Sequence, residues 1–439
     1  MASPILISKN GEYFIEDFPV NKMVERVGSP FYVYSKEKLI TNFNSFKSYF
    51  NEIDHLICFA VKSNSNIGIL NILAEIGAGF DIVSGGELER VISAKGDPKK
   101  IVFSGVGKTE DEIRLAISHD ILAFNVESES ELLRIQYVAK SLNKKASISI
   151  RVNPNVDAKT HPYISTGLKD NKFGVNEEEA IKMYKKASKL DAIEIKGIDC
   201  HIGSQITDLN PFKDAIKKLV ALIDYLKSIN INIDHVDIGG GLGICYKNEN
   251  PPTFEEYSKV VYKLLKDKNI KIIFEPGRAL VANVGALITK VEYIKKNEDK
   301  KFAITDAAMN DLMRPALYDA FHNIINLSLS KSKKQQFDIV GPICETSDFL
   351  GKNRMLSLEE GNILAILDAG AYGMTMSSNY NSRPKIPELM VVGNNIYVIR
   401  ERESFQDVIR GESLLPKANS NGKYFTGSIS KPKRVLCWR

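Results

Sequence analysis

Leu56-Ile-Cys-Phe-Ala-Val-Lys62-Ser-Asn64 places a lysine where an apolar, strand-like run gives way to a polar loop. A strand end inside an α/β fold is partly shielded from water, which disfavours the ammonium form of lysine. We therefore expect the Lys62 amine to lose its proton readily and to attack a carbonyl group. A lone lysine at such a position more often extends to solvent, so this interpretation depends on the other residues of the site.

Lys62 follows the first of eight apolar, β-type runs that alternate with amphipathic helical segments. The runs are residues 56–61, 80–83, 101–103, 122–126, 146–152, 195–200, 235–238 and 271–274. Eight such units predict a (β/α)8 TIM-type barrel, although doubly wound sheets show the same alternation. In the helical segments apolar residues recur every three or four positions, and Thr109 and either Ser128 or Ser130 are suitable N-caps.

Polar residues stand at the end of every one of these runs. In chain order they are Lys62, Asp81 with Ser84, Ser104, Asn125, Arg151 with Asn153, His201 with Ser204, Gly239-Gly240-Gly241, and Glu275 with Arg278. Barrel enzymes carry their chemistry at the C-terminal ends of the strands. The strand ends therefore favour the barrel and predict one active site at its rim.

After Val281 the pattern changes to shorter strand-like runs with turn signals. They are residues 286–294, 301–305, 337–340, 362–367 and 389–399. These runs predict a mainly antiparallel second domain, and the β-type run at residues 31–34 is expected to pair with it. The predicted division is an N-terminal segment at 1–35, the barrel at 36–282 and a β domain at 283–439, with a solvated tail at 417–439.

The composition narrows the class of protein. The chain has 439 residues, and its net charge of +5 arises from 59 basic and 54 acidic side chains. This balance does not indicate nucleic acid or an anionic membrane as a partner. Five scattered cysteines without paired metal spacing argue against a disulfide framework or a structural metal, and favour a cytoplasmic compartment. We also expect neither an export signal nor a membrane span.

Two glycine turns follow neighbouring late strands. They are Gly239-Gly-Gly-Leu-Gly243 and Glu275-Pro-Gly-Arg278. Glycines let backbone N–H groups close on an anion, and late barrel loops often hold a phosphate. Together with a lysine on the same rim, these turns point to pyridoxal 5'-phosphate held as a Schiff base on Lys62. Glu275 would then keep the pyridine nitrogen protonated, and His201 could lie flat on the ring.

These motifs closely resemble the diaminopimelate decarboxylases, a family in the barrel-fold class of pyridoxal phosphate enzymes that also includes ornithine decarboxylase and alanine racemase. The segments that carry the resemblance are Phe59-Ala-Val-Lys62-Ser-Asn64, Gly79-Phe-Asp-Ile-Val-Ser-Gly-Gly-Glu87, His161-Pro-Tyr-Ile-Ser-Thr-Gly167, Lys172-Phe-Gly174, His201-Ile-Gly-Ser204, Asp237-Ile-Gly-Gly-Gly-Leu-Gly243, Glu275-Pro-Gly-Arg278, Arg314-Pro-Ala-Leu-Tyr318, Gly341-Pro-Ile-Cys-Glu345 and Gly370-Ala-Tyr372-Gly. The last four point to this family within the wider class.

The resemblance implies a cofactor site and a substrate site. The cofactor-binding residues would be Lys62, Asp81, His201, Ser204, Gly239, Gly240, Gly241, Glu275, Gly277, Arg278 and Tyr372. The residues for the substrate, meso-2,6-diaminopimelate, would be Arg278, Arg314 and Tyr318 at its distal carboxylate, Glu345 at its distal ammonium, and Tyr372. Cys344 would come from the neighbouring subunit of a homodimer as the proton donor. Lys62, Cys344 and His201 form the implied catalytic set, without a metal.

The implied reaction releases the D-centre carboxylate as carbon dioxide and leaves L-lysine, the last step of lysine biosynthesis. Four alternatives fit parts of the pattern. A decarboxylase of ornithine, arginine or lysine has no distal carboxylate for Arg314, and a racemase gains from a weaker electron sink than Glu275 gives. A cofactor carrier without turnover leaves Cys344 and Glu345 without a role. A bare sugar-binding barrel leaves Lys62 unexplained.

Overall fold

The computed structural model describes residues 5–158, 166–167, 171–298 and 300–415. Residues 161–165 of one motif and the predicted tail, with Cys437, lie outside the described residues. Within the described ranges no helix combines the length and the apolar character that a bilayer crossing requires.

The strands, in chain order, are β1 Leu6–Lys9, β2 Glu12–Ile15, β3 Phe18–Pro19, β4 Phe31–Ser35, β5 His55–Ala60, β6 Gly79–Ile82, β7 Ile101–Phe103, β8 Ala123–Val126, β9 Ala146–Arg151, β10 Ile193–Asp199, β11 His235–Asp237, β12 Lys271–Phe274, β13 Gly285–Asn297, β14 Lys300–Thr305, β15 Ile324–Asn326, β16 Gln335–Val340, β17 Phe349–Leu356, β18 Ile363–Ile366, β19 Glu388–Val392 and β20 Asn395–Arg400.

The α-helices are α1 Val20–Val27, α2 Lys36–Ser48, α3 Ile67–Glu75, α4 Gly85–Ser93, α5 Glu110–Ser118, α6 Glu129–Ser141, α7 Glu177–Ala187, α8 Asn210–Ser228, α9 Phe254–Leu265, α10 Arg278–Val281, α11 Arg314–Tyr318 and α12 Phe405–Val408.

Strands β5 to β12 close into a parallel barrel with the order β10-β11-β12-β5-β6-β7-β8-β9, and helices α3 to α9 connect them. Each of the eight predicted runs coincides with one barrel strand, so the predicted barrel is confirmed. The runs are continuously apolar because the strands are covered on both faces, by the barrel interior and by the helices.

Two of the helix starts follow the predicted capping chemistry. Thr109 and Glu112 form a reciprocal capping box at the start of α5. Ser128 accepts a hydrogen bond from the Glu131 backbone N–H at the start of α6, so Ser128, not Ser130, is the cap. These caps fix where each loop above the barrel rim ends and its helix begins.

In the described part of the chain the second sheet has nine strands, and it joins a strand that precedes the barrel to the strands that follow it. Its path runs β17-β16-β14-β13-β4-β19-β20, with β18 pairing β13 and β15. Most pairs are antiparallel, as predicted, whereas β14 with β16 and β19 with β4 are parallel. The predicted run at 389–399 is instead a hairpin of β19 and β20, because the chain turns at Gly393, whose φ is +59°. Here a left-handed glycine turn interrupts a hydrophobic run.

The N-terminal strand β4 lies between β13 and β19 in this sheet, whereas β1 to β3 form a small sheet of their own. The barrel therefore lies in the chain between two strands of one sheet. We propose the predicted division at residues 35 and 282 as the domain boundaries, because these positions follow β4 and precede β13.

Candidate active site

One pocket at the C-terminal ends of the barrel strands collects most of the predicted residues. Its lining includes Lys62, His201, Ser204, Gly239, Gly240, Gly241, Glu275, Gly277, Arg278 and Tyr372. Tyr372 comes from the loop after β18, and its backbone N–H donates to the Ser63 carbonyl at 2.7 Å. The pocket therefore lies where the β domain meets the barrel rim.

Lys62 follows β5, and its ammonium group pairs with Asp81 at the end of β6. Lys62 Nζ lies 2.7 Å from Asp81 Oδ2, and Asp81 is fully buried. Burial lowers the pKa of Lys62, but the charges of Asp81 and Glu275 outweigh this effect and raise it above its ordinary value. The predicted ready loss of the Lys62 proton is therefore wrong for the free amine, because that prediction considered burial alone and not the charges of Asp81 and Glu275 beside the amine.

Four buried carboxyl groups lie beneath this lysine, and we call Asp81, Asp199, Asp237 and Glu275 the carboxylate floor. Carboxylate oxygens of the last three lie within 4.8 Å of one another. Burial, and then the neighbouring carboxylates, raise the pKa of Glu275 and of Asp237 well above its ordinary range. Burial likewise raises the pKa of Asp199 to about 7. Like charges this close cannot all be ionised, so the floor retains protons near neutral pH.

Arg151 is the buried cation on the far side of the floor. Its Nη1 lies 2.9 Å from Glu127 Oε1, and its Nε lies 3.7 Å from Asp199 Oδ2. Two carboxylates therefore already share the charge of Arg151. In the described part of the chain, Asp81 and Glu275 have Lys62 as a neighbouring cation.

Glu275 is held from both the core and the rim. The preceding Phe274 is buried, with its ring 4.3 Å from the ring of Phe50. At the rim, Ser104 Oγ and Asn125 Nδ2 donate to Glu275 Oε1 at 3.3 and 3.4 Å. Two of the predicted strand-end residues therefore orient a third one. Packing and hydrogen bonds together give this carboxyl group a fixed direction.

His201 has a defined tautomer at the end of β10. The Gly240 backbone N–H donates to its Nδ1 at 3.2 Å, so the proton of the neutral ring is on Nε2. Burial, together with the charges of Lys62 and Arg151, lowers the pKa of His201 well below its ordinary value. The ring is therefore uncharged and can lie against another aromatic ring without adding a cation to the pocket.

The glycine run after β11 forms a cradle that no larger residue could form. A Cβ at Gly240 would lie 2.1 Å from the Glu275 carbonyl oxygen, and one at Gly241 would lie 2.5 Å from the Gly203 carbonyl oxygen. Gly239 and Gly241 also have positive φ values of +69° and +104°. Glycine is therefore required here by both the close approach and the backbone conformation.

Two arginines lie beside the cradle, and we call Arg278 and Arg314 the arginine pair. Arg278 Nη1 donates to the Tyr246 hydroxyl at 2.9 Å, and its Nη2 donates to Ser204 Oγ at 3.1 Å. The Arg314 guanidinium carbon lies 4.6 Å from the centre of the Tyr246 ring. Both arginines are buried, and neither forms an ion pair with a carboxylate of the described residues. Buried guanidinium groups without counter-ions form a site for an anion.

Tyr372 and Tyr318 complete the arginine side of the pocket. The Arg278 guanidinium carbon lies 4.8 Å from the centre of the Tyr372 ring. Tyr372 has a left-handed backbone with φ of +56°, which a tyrosine adopts only under constraint from its surroundings. Tyr318, at the end of α11, lies near enough to both arginines to influence their pKa values.

Cys344 and Glu345 lie apart from this pocket, between β16 and β17. Both are exposed, and neither lines the pocket. The Cys344 backbone N–H donates to Asn381 Oδ1 at 2.9 Å, and the Tyr380 hydroxyl donates to Glu345 Oε1. The fold therefore does not bring these two residues to the Lys62 of the same chain.

Two predicted rim residues have local roles outside the pocket. Ser84 caps α4 by accepting from the Glu87 backbone N–H, and Asn153 Nδ2 donates to the Phe173 carbonyl at 3.2 Å. Asp199, Tyr246 and His322 belong to the site but were not predicted from the sequence. A carboxylate at the end of the apolar run before His201 was a usable signal for Asp199. Tyr246 and His322 lie outside any recognisable motif.

Pyridoxal 5'-phosphate fits this arrangement at both ends. The glycine cradle and Arg278, whose buried Nε has no partner among the described residues, suit a phosphate. The carboxylate floor suits a protonated ring nitrogen, because it holds more carboxyl groups than cations. Lys62 and Glu275 line the same pocket, so a cofactor bound there would have an amine available for its aldehyde.

Comparison with known proteins gives the same assignment. The model of the pyridoxal-dependent decarboxylase pyridoxal-binding domain matches residues 36–282. The diaminopimelate decarboxylase of Vibrio cholerae is 54% identical over 410 residues, which are 93% of this chain and 98% of that protein.

Solved structures agree with the sequence comparison. The diaminopimelate decarboxylase of Helicobacter pylori, complexed with L-lysine, superposes with a TM-score of 0.87 at 45% identity, covering 89% of this chain and 98% of that one. The enzyme of M. jannaschii gives a TM-score of 0.89 at 40% identity, covering 94% and 98%. The predicted fold and cofactor are therefore confirmed, and the chain belongs to the diaminopimelate decarboxylase family of pyridoxal phosphate-dependent enzymes.

Proposed function

We propose that this chain decarboxylates meso-2,6-diaminopimelate to L-lysine and carbon dioxide with pyridoxal 5'-phosphate bound in the barrel pocket. The observation that carries the proposal is that buried charges of opposite sign meet at one pocket. Glu275 of the carboxylate floor and Arg278 of the arginine pair both line it, and neither arginine has a carboxylate partner among the described residues. A cationic ring and a substrate with a distal carboxylate supply the missing charges.

When bound, the cofactor supplies an electron sink for the pair released as the carboxylate leaves. Lys62 would hold its aldehyde, and Glu275 would keep its ring nitrogen protonated. Two observations support these roles. The Glu275 carboxyl group is buried, hydrogen-bonded and close to the carboxyl groups of Asp199 and Asp237, and Lys62 lines the same pocket. Asp81, 2.7 Å from Lys62, would form an ion pair with the Lys62 ammonium group whenever the amine is not bound to the cofactor.

Other residues would orient the cofactor. The neutral His201 ring is suited to stack on it, and the cradle Gly239, Gly240, Gly241 and Gly277, with Ser204 and Arg278, would hold its phosphate. Tyr372, held in a strained conformation over Arg278, would contact both cofactor and substrate.

Arg314 sets the substrate preference. Its buried guanidinium lies near Arg278 and Tyr318, and together they would bind the carboxylate at the far end of the substrate. Ornithine, arginine and lysine carry no carboxylate there, so binding them would leave Arg314 buried and unpaired. The decarboxylated end would lie on the carboxylate-floor side, with its own carboxylate unpaired and ready to leave.

We further propose that Cys344 and Glu345 act on the pocket of the partner subunit in a homodimer. Their exposure and their separation from the pocket of their own chain support this assignment. Cys344 of the partner subunit would return the proton, and Glu345 of the partner subunit would bind the distal ammonium. We place this enzyme in the cytoplasm, which suits the four free thiols of the described residues.

The test of activity is carbon dioxide release from meso-diaminopimelate compared with ornithine, arginine and lysine at equal concentrations. We expect release from meso-diaminopimelate with L-lysine as product, and rates at least about 10²-fold lower from the others. Faster release from lysine than from meso-diaminopimelate would overturn the substrate assignment.

The test of the shared site mixes two inactive variants, Lys62→Ala and Cys344→Ala. A mixed dimer has one site that combines the intact Lys62 of one chain with the intact Cys344 of the other, so roughly a quarter of the wild-type activity should return at equal mixing. The unmixed variants serve as controls. Activity that stays at the level of the controls after subunit exchange would place Lys62 and Cys344 of a single chain in each site.

A further inference from the structure

We infer that His322 is a positioning residue that holds Arg314 in place for the distal carboxylate without neutralising it. This inference rests on the proposed function and extends it to a residue that no motif pointed to. His322 lies eight residues after Arg314 in the chain, beyond α11, and is completely buried.

The two ring nitrogens of His322 have different partners. Nδ1 lies 2.8 Å from the Leu367 carbonyl oxygen, and Nε2 lies 2.7 Å from Arg314 Nη1. A carbonyl oxygen only accepts, so Nδ1 must carry the proton. A guanidinium only donates, so Nε2 must be bare. The backbone at Leu367 therefore fixes the tautomer that makes His322 an acceptor for Arg314.

The acceptor is neutral under all ordinary conditions. Burial and then the charge of Arg314 lower the pKa of His322 to about 3. An aspartate or glutamate could also fix Arg314, but it would form an ion pair and consume the charge that the substrate needs. A neutral imidazole orients the guanidinium and leaves its charge available. Histidine is thus suited to this position because its Nε2 lone pair accepts the hydrogen bond from Arg314. A change of its protonation state has no part in this role.

The remaining contacts of Arg314 agree with this role. The face of the Tyr246 ring lies 4.6 Å from the guanidinium carbon, and the His322 ring meets the Tyr246 ring edge-on, with centres 5.3 Å apart. Burial raises the pKa of Asp368, and the charge of Arg314 opposes this shift, but the two side chains form no ion pair within the described ranges. Among those residues the one hydrogen bond of the Arg314 guanidinium is the bond to His322.

The test compares three variants of the holoenzyme. His322→Phe keeps a planar ring but has no acceptor, His322→Gln places an amide oxygen near the Nε2 position, and His322→Asn is too short to reach Arg314. The measurements are kcat and KM for meso-diaminopimelate, and the dissociation constants of L-lysine and cadaverine from changes in cofactor absorbance. L-lysine retains the distal carboxylate, whereas cadaverine has none.

We expect His322→Phe to raise KM and the L-lysine dissociation constant about 10- to 100-fold, because it removes a hydrogen bond to a buried charged group. The cadaverine constant should change less than about threefold, and His322→Gln should recover most of the loss. Should His322→Phe not fold, the same contrast is expected between His322→Asn and His322→Gln.

Equal weakening of L-lysine and cadaverine, or no weakening of either, would overturn the positioning role. So would a His322→Gln variant as impaired as His322→Phe. The binding measurements need no turnover, so they separate the two proposals. A protein that is inactive on meso-diaminopimelate but loses L-lysine affinity in His322→Phe would contradict the proposed function alone.

Discussion

The carboxylate floor and the arginine pair, which we call the two walls of the site, bury opposite charge in different ways. The carboxylate floor crowds four acidic groups together, and burial shifts the pKa values of Asp199, Asp237 and Glu275 upward, so part of its charge is removed by protons. The arginine pair cannot lose its protons, and neutral partners hold it instead: Ser204, Tyr246 and His322. The floor is therefore adjustable in charge, whereas the arginine side keeps its charge at every pH.

This difference indicates what each wall receives. A wall that can retain or release protons is suited to a heteroaromatic ring whose nitrogen must stay protonated during the reaction. A wall of permanent cations is suited to a permanent anion, such as a carboxylate or a phosphate. Burying either group of charges without partners costs free energy. The ring nitrogen of the cofactor would pair with the carboxylate floor, and the anionic groups of cofactor and substrate would pair with the arginines.

The largest effect is expected at the floor, from Lys62→Ala. Without the amine the cofactor has no covalent attachment, and kcat should fall by at least about 10³-fold. Steady-state decarboxylation and the absorbance of bound cofactor measure the change. Lys47→Ala, at an exposed lysine in α2, is the control and should leave both unchanged. A Lys62→Ala enzyme with a tenth of the wild-type rate would contradict the role of this amine.

Glu275→Gln should have the next largest effect, because an amide cannot hold a proton on the ring nitrogen. We expect kcat to fall about 10²- to 10³-fold with KM changed only a few-fold. Glu52→Gln, at an exposed glutamate, is the matched control. If Glu275→Gln raised KM and left kcat intact, Glu275 would be a binding group and the floor would have no electronic role.

On the arginine side, Arg314→Met should act on binding and not on the chemical step. KM for meso-diaminopimelate should rise about 10²-fold, because the distal carboxylate loses a buried charge partner. Cadaverine affinity should be nearly unchanged, which distinguishes lost recognition from a collapsed pocket. A comparable loss of cadaverine affinity would show that Arg314 supports the pocket as a whole.

A substitution in the glycine cradle should have a smaller effect, because it weakens cofactor binding and leaves the charged groups in place. Gly240→Ala would place a methyl group 2.1 Å from the Glu275 carbonyl oxygen, so the turn or β12 must shift. We expect pyridoxal phosphate affinity to fall roughly tenfold. Gly107→Ala is the control, because a Cβ there meets no atom within 4 Å. Equal cofactor affinity in both variants would argue against a phosphate at the cradle.

The smallest effect concerns stability and pH in the cofactor-free protein. Burial raises the pKa of Asp199 from 3.8 to about 7, so the folded chain keeps a proton that the unfolded chain releases. The stability that the folded chain gains by retaining this proton is fully present below pH 3.8 and is lost as the pH rises through about 7. The free energy of unfolding should therefore fall as the pH rises across that window.

Asp199→Asn removes this titration, so urea unfolding at pH 5 and pH 7 should show a smaller difference than in the wild type. Asp267→Asn, at an exposed aspartate, should keep the wild-type difference. The idea fails if Asp199→Asn leaves the pH dependence as it was, or makes it steeper.

The contrast between the walls also explains what the sequence could predict. Lys62, His201 and Glu275 follow apolar runs directly, so strand periodicity alone placed them on one rim. Such periodicity does not show which carboxyl groups point into the barrel together, and the sign of the Lys62 pKa shift was therefore predicted wrongly.

The arginine side depended on long-range contacts. Tyr246 and His322 reach Arg278 and Arg314 from a loop after β11 and a loop after α11, and no periodic pattern connects those loops. The hairpin at Gly393 was missed for a local reason, because the apolar residues on either side of Gly393-Asn394-Asn395 were grouped into one run.

The most direct test of the divided pocket is a crystal structure of the holoenzyme with L-lysine. We expect Lys62 to be linked to the cofactor or adjacent to its aldehyde, and Glu275 to lie within hydrogen-bond distance of the ring nitrogen. We also expect the lysine carboxylate at the arginine pair, with His322 still hydrogen-bonded to Arg314. A ring nitrogen turned away from Glu275, or a lysine carboxylate bound away from Arg314, would show that the two groups of buried charge do not have these roles.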